Sequence, residues 1–379
     1  MLAPQISMRE RMSMYNANAL KIGLFGPNCS SGRAVTRVPE RWSGSWPDNL
    51  RLARMADEAG IDFLLPIARW KGYGGDTDYQ GATWETVNWA SGLLASTKKI
   101  TVFGTMHAPL FNPIIAAKEF VTADHIGEGR VGVNIVVGWN EGEFDMFGVK
   151  QREHDARYDY AQEWIDVVKL AWSRDGTFDF DGRYLQLKGA RAFPKPYGNT
   201  RPLLMNAGSS DVGQGFALRN CDAFFVATAG SRTSLAANVT KVADMKAAAA
   251  KLDRQIELFT VGQVICRPHQ QEADDYYRHV NIEHADWGAI DGMLANKSIT
   301  PQAIGDDEYE KKRRYFAANA IGGYPFVGTP DRIAEELTII SQAGVRGIGL
   351  SFVNYLAEVP YFCDEVLPRL ARAGVRMGS

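Results

Sequence analysis

The chain has 379 residues, 45% of them hydrophobic and 23% charged, with a formal net charge of −2. That balance fits one large globular domain or two medium ones and gives no electrostatic footprint for a nucleic-acid or membrane partner. Four cysteines (Cys29, Cys221, Cys266 and Cys363) lack metal-type spacing, and no apolar run is long enough to span a bilayer; a disulfide framework and a transmembrane segment are therefore excluded, and a reducing, cytoplasmic compartment is expected.

Residues 1–20 read as a polar tail with no apolar signal-peptide core. A first strand follows at Lys21–Pro27, then a Gly/Ser/Trp/Pro-rich loop, Asn28–Pro47, long enough to be functional. Asp48 can cap a helix whose Leu52, Met55, Ala56 and Ala59 share one face and which Gly60 closes. Asp62–Ile67 and Ile100–Met106 read as the second and third strands, with a helix at Thr83–Ser96 between them. The fourth, Val131–Val137, is a continuous apolar run suited to a parallel strand covered on both faces, yet Asn134 is set into it. A buried amide costs a few kcal/mol, on the order of 2 or more, unless it finds partners, which neighbouring backbone or a ligand could supply. The run breaks at Gly138 into a loop carrying Trp139, Asn140, Glu141 and Glu143.

Beyond it, Ala161, Trp164, Ile165 and Val168 form a helical stripe, and Phe178–Leu187 reads as a hairpin turning at Asp181-Gly182. Leu203–Gly208, Ala223–Thr228 and Glu257–Arg267 read as strands five to seven, with a helix from about Ser234 to Lys251. The stretch 268–327 is polar, aromatic and mostly helical, and its basic run Lys311–Arg314 reads as a solvated helix face. Thr329-Pro-Asp opens a helix through Ile333, Leu337 and Ile340. Gly347–Phe352 is the eighth strand, and a short last helix runs through Val366 and Leu370.

Strands alternating with helices predict an α/β protein, a (β/α)8 TIM barrel over residues 21–379 as one domain, with insertions at about 139–201 and 268–327. A doubly wound sheet is disfavoured because no G-x-G-x-x-G follows a strand. Candidate chemistry collects at strand ends: Arg69; Thr105 and His107; Asn134, Trp139 and Glu143. His154–Tyr158 before a helix, and Gly208-Ser-Ser-Asp211, could each present donors to an anion, although the latter also reads as a plain turn with an N-cap. No metal-ligand set and no Gly-x-Ser-x-Gly elbow is apparent, so no metal is expected.

Taken together, Thr122-Ala-Asp124, Gly129–Asn134, Gly138-Trp139 with Glu143, His154–Tyr158, Gly208-Ser-Ser210 and Gly328-Thr-Pro330 resemble the luciferase-like flavin monooxygenases, in the subgroup of pyrimidine, dimethyl sulfone and alkanesulfonate monooxygenases. The resemblance covers about Lys21 to Leu370. It implies FMN, reduced by a separate NAD(P)H:flavin reductase and bound at the barrel mouth. Ala68, Arg69, Asn134 and Glu143 would contact its ring and ribityl chain, while Arg157, Tyr158, Ser210 and Ser209 would hold its phosphate. It further implies an oxygen pocket at Leu65, Thr105 and Asn134 with Trp139 as a wall, where the Thr105 hydroxyl and Asn134 amide would donate to a flavin peroxide. That set resembles the N5-type enzymes, with a C4a adduct left open.

The substrate would be a small molecule (a heteroaromatic, a sulfone or sulfonate, or a halogenated aromatic), oxygenated by O2 beneath a lid formed by Asn28–Pro47 and part of the second insertion. A homodimer or homotetramer is implied by analogy. Two other readings keep the barrel: a deazaflavin (F420)-dependent oxidoreductase, and a non-catalytic flavin-binding barrel.

Overall fold

The computed structural model describes residues 12–208, 210–226, 235–319 and 323–378. The calls on Ser209, on the end of the sixth strand at Thr228, on a helix start near Ser234 and on most of the polar tail lie outside these residues. Eight parallel strands close a barrel in the order β1 (Lys21–Phe25), β2 (Phe63–Leu65), β3 (Thr101–His107), β4 (Val131–Val136), β7 (Leu203–Asn206), β8 (Ala223–Phe225), β9 (Glu257–Cys266) and β11 (Gly347–Ser351), with β11 returning to β1. All eight match the strands expected from sequence.

Three glycines let the barrel interior fill. Gly23 faces Phe63, Gly132 faces Phe103 and Gly347 faces Phe259 in neighbouring strands. A Cβ on them would lie 2.3, 2.4 and 2.0 Å from those rings, so small and large residues alternate across the barrel. Phe63, Leu65, Phe103, Met205 and Phe259 form the resulting inner core. We expect Gly347→Ala to cost about 1–3 kcal/mol by overpacking against Phe259, read as a lower urea midpoint with no change in the denaturant slope.

Three details depart from the sequence expectations. A ninth parallel strand, β10 (Tyr324–Gly328), lies inside the stretch read as helical and pairs only with the outer half of β9. Pro325 is tolerated because this strand is an edge. The hairpin β5 (Phe178–Asp181) and β6 (Gln186–Ala190) exists, but Asp181 pairs with Gln186, so residues 182–185 form a longer turn. The Glu163 carboxylate holds that turn by accepting from the backbone N–H groups of Arg183, Tyr184 and Leu185. Finally, the last helix is not short: it runs Tyr355–Arg372 through Pro360 and Pro368, anchored by buried Val359, Phe362, Val366 and Leu370 on one face.

The first long loop is braced by the second insertion. Thr36 Oγ1 donates to Val280 O (2.8 Å) and Arg37 N donates to His284 O (2.7 Å). Asp286, fully buried, accepts from the Asp76 and Thr77 backbone and from the Thr77 hydroxyl. Three separate loops are thus tied together beside the carboxyl ends of the strands. Among the described residues, no helix is long and apolar enough to cross a membrane.

Candidate active site

Two cavities open at the carboxyl ends of the strands and share Val136, Trp139, Ala207 and Lys297 as walls. The inner one, about 230 Å³, reaches Thr105, Asn134, Ala68 and Arg69. The outer one, about 650 Å³, is bordered by His154, Arg157, Tyr158, Gly208 and Ser210. Such a strand-end position is where barrels of this kind carry chemistry.

Strand register makes the inner end. Thr105 and Asn134 are paired neighbours on β3 and β4. Asn134 Nδ2 donates to Thr105 Oγ1 (3.2 Å), and that hydroxyl donates to Pro66 O (2.8 Å). Asn134 Oδ1 is buried with no hydrogen-bond partner. An orphaned buried acceptor costs about 1–3 kcal/mol, so the amide is only half satisfied by the protein. The expectation that Thr105 and Asn134 both donate is thereby narrowed: the Thr105 proton is committed to Pro66, leaving one Nδ2 hydrogen and a free acceptor on Asn134.

Arg69 and Glu143, read separately from sequence, are brought together across 74 residues. Arg69 Nη1 lies 3.0 Å from Glu143 Oε1, and the same oxygen accepts from Trp70 N at 2.9 Å. Both side chains are nearly excluded from solvent, 9% and 2% exposed, whereas Arg69 Nε has no partner. The guanidinium stacks 4.6 Å from the Tyr73 ring and 5.5 Å from Trp139. Trp139 itself stands 43% exposed at the junction of the cavities, in keeping with a wall. Leu65 does not border either cavity; it packs in the inner core below them.

His107 lines the inner cavity with Nε2 3.8 Å from Glu143 Oε2 and Nδ1 unpartnered. Burial pushes its pKa down to about 4, with Glu143 opposing and Arg69 assisting. An unfolded histidine titrates near 6.5, so between about pH 6.5 and 4 the unfolded chain takes up a proton that the folded one refuses. Stability from this group is therefore fully present above pH 6.5 and lost as pH falls toward 4. We expect His107→Gln to remove that component: relative to wild type, its urea midpoint should improve on going from pH 7.5 to pH 5.

The outer end is built by two helix starts. Arg157, in the first turn of helix His154–Ser173, donates from Nη1 to Gly138 O (2.6 Å) and leaves Nε buried and unpartnered. Ser210 caps helix Asp211–Asn220 by accepting from Gly213 N (3.2 Å). Burial raises the Tyr158 phenol pKa, while a hydrogen bond to Ser210 and the Arg157 charge lower it. Gly208 and Gly213 make room for that phenol: a Cβ would approach its oxygen to 2.4 and 2.5 Å. The Gly-Ser-Ser-Asp segment is thus an N-cap and a cavity wall at once.

Sequence reasoning missed Lys297, which borders both cavities; its Nζ lies 5.6 Å from the Trp139 ring. The only available signal was a polar Asn-Lys-Ser turn after an apolar helix. Spacing also concealed that His279, Glu283 and His284 bring ligand-type atoms within 4.8 Å of one another at the surface. There, Arg278 pairs with Glu283, and His284 Nδ1 lies 3.1 Å from the His279 carbonyl.

Known proteins are similar to this chain over more than nine-tenths of its length. An FMNH2-dependent dimethylsulfone monooxygenase of Pseudomonas fluorescens (strain Pf0-1) is 31% identical over 355 residues, covering 92% of this chain and 94% of that protein. The pyrimidine monooxygenase RutA of Enterobacter sp. (strain 638) is 28% identical, covering 92% and 96%. Among solved structures, riboflavin lyase (RcaE) with modified FMN and substrate riboflavin superposes with a TM-score of 0.83 at 22% identity, over 94% of this chain and 92% of that one; at that identity the likeness speaks for the fold. The Luciferase-like monooxygenase family model matches residues 20–347, and the chain belongs to that family.

Proposed function

We propose that this enzyme is a two-component monooxygenase that takes reduced FMN from a separate NAD(P)H:flavin reductase and uses O2 to oxygenate a small molecule. The observation that carries this reading is the linked cleft, with an orphaned Asn134 acceptor at its inner end and an orphaned Arg157 donor with the Ser210 helix start at its outer end. A flavin mononucleotide has complementary parts: a flat ring with N–H donors, and a phosphate that suits a helix N-terminus beside a guanidinium. The FMNH2-dependent relative supports FMN over a deazaflavin.

Bound there, reduced FMN would supply the electron pair and the ring at which dioxygen is activated. Ala68, Arg69 and Asn134 would border the ring. Glu143 would fix the Arg69 fork rather than touch the ring broadly, since one of its oxygens already holds Arg69 and Trp70 N. Arg157, Tyr158 and Ser210, with Ser209, would hold the phosphate. Thr105 orients the Asn134 amide so that its remaining Nδ2 hydrogen can meet negative charge developing on oxygen, in a site kept dry by the surrounding apolar core. Leu65 supports the floor of this pocket, and Trp139 shields it from solvent.

The test is an anaerobic titration with photoreduced FMN followed by mixing with O2. Expected are saturable binding of reduced FMN and a protein-dependent flavin spectrum distinct from that of free FMN during reoxidation. Tight binding with reoxidation identical to free flavin would instead indicate a binding module, and binding of deazaflavin alone would indicate the hydride-transfer reading.

A further inference from the structure

A second group of chemically competent side chains lies outside the cleft, in the second insertion. Helix Gln270–Arg278 runs into a single wide turn, His279–Glu283, closed by His284 N donating to His279 O at 3.0 Å. Such i→i+5 turns are rare and are found frequently at functional sites. The wide turn is what assembles the group. In a continuing α-helix, residue 284 would point about 140° away from residue 279. A turn closed five residues on instead returns both Glu283 and His284 to the side of His279. Ligand-type atoms of the three then lie within 4.8 Å of one another.

The distances and partners suit a metal better than an ordinary ion pair. His279 Nδ1 is 3.5 Å from Glu283 Oε2. That is long for a hydrogen bond and close to the separation of about 3.3–3.4 Å between two ligands of a tetrahedral zinc ion. The centre of the His284 ring lies 4.1 Å from that of His279. His284 Nδ1 is 3.1 Å from the His279 carbonyl oxygen, so that nitrogen donates there and Nε2 keeps its lone pair. A ligating histidine is commonly fixed in this way, by its second nitrogen on a carbonyl. Arg278 Nε approaches the other carboxylate oxygen, Glu283 Oε1, at 3.3 Å, and Arg278 Nη2 donates to Asp275 Oδ1 at 2.7 Å. The guanidinium therefore orients Glu283 and leaves Oε2 facing His279. All three side chains reach solvent, which gives an ion its entry path.

We propose that His279, Glu283 and His284 form a zinc site, with solvent completing the coordination, that clamps the first long loop onto the second insertion. Two imidazole nitrogens and one carboxylate oxygen make a donor set for zinc rather than for calcium or magnesium. The clamp follows from what the same residues hold. His284 O accepts from Arg37 N at 2.7 Å and from Thr36 Oγ1 at 3.1 Å, and Thr36 pairs with Ala285 as an isolated antiparallel bridge. Tyr276, stacked on the His279 ring, donates to Glu40 Oε1 at 3.0 Å. A metal that fixes the wide turn thus fixes the contacts on which Thr36, Arg37 and Glu40 dock, and its binding free energy stabilises that docked arrangement. The site stands apart from the cleft and does not depend on the flavin reading.

The experiment titrates zinc chloride by calorimetry into the full chain, tag-free and freed of metal with a chelator, at pH 7.5. Amide hydrogen exchange at Arg37 and His284 is followed with and without zinc. Expected are one zinc per chain with a Kd of about 10 µM or tighter, and exchange slowed about threefold or more at both amides. His279→Ala and Glu283→Gln should each weaken zinc about tenfold or more and abolish that protection. His269→Ala, at the start of the preceding helix, should change neither. The Glu283 side chain is half exposed, so Glu283→Gln decides the matter should His279→Ala destabilise the turn. No zinc binding, or binding that survives both substitutions, would overturn the site. Binding that they abolish but that leaves exchange at Arg37 and His284 unchanged would overturn the clamp.

Discussion

Asn134→Ala should lower turnover at saturating reduced FMN by roughly 10²- to 10³-fold, the loss typical of removing one preorganised donor from a developing negative charge. Its position permits no substitute. The amide is anchored by Thr105 Oγ1 at 3.2 Å, that hydroxyl is in turn anchored on Pro66 O at 2.8 Å, and no other described polar side chain is paired into this chain of bonds. Truncation also removes the orphaned Oδ1, so the folded protein should lose little stability while FMN affinity changes by less than tenfold. Stopped-flow reoxidation and steady-state rates at saturating reduced flavin separate the two effects. Unchanged turnover under those conditions would remove Asn134 from the chemistry.

The second large effect concerns the other end of the cleft. Arg157→Ala should weaken FMN about 10- to 100-fold, corresponding to a charge-assisted hydrogen bond worth about 1.5–3 kcal/mol, and should leave riboflavin affinity nearly unchanged. Riboflavin is the informative control because it lacks the phosphate and keeps the ring. Arg157 also holds Gly138 O at 2.6 Å, and Gly138 has a φ of +73° at the break after β4. If the side chain acted only by bracing that turn, FMN and riboflavin would weaken in parallel, and fluorescence titration of both distinguishes the cases.

The parts of the site written as local patterns were legible. An amide in the apolar run Val131–Val137, the break at Gly138 and the Ser210 cap each announce themselves within a few residues, because strand burial and helix capping are short-range rules. The Arg69–Glu143 pair, the sharing of the Thr105 hydroxyl between Asn134 and Pro66, and the bordering of one cavity by both Arg33 and Lys297 are not local. Each joins segments between 29 and 264 positions apart (105 to 134, 33 to 297), and no periodicity encodes which loop ends face one another. The strand Tyr324–Gly328 was hidden for a related reason: five residues containing a proline make a poor strand alone, and only the outer half of β9, Gly262–Cys266, gives them a partner.

The order of hydrophobic runs and helical stripes by itself determined the eight barrel strands and the end of the barrel at which polar residues gather, because a covered parallel strand must be apolar and its loops must not. Closure of the barrel decided the rest. It placed the rings of Phe63, Phe103 and Phe259 over glycines of neighbouring strands, set Thr105 beside Asn134, and turned two distant loops so that their cations share one cavity. Those outcomes follow from register and packing, which are properties of pairs of segments that no single stretch of chain contains.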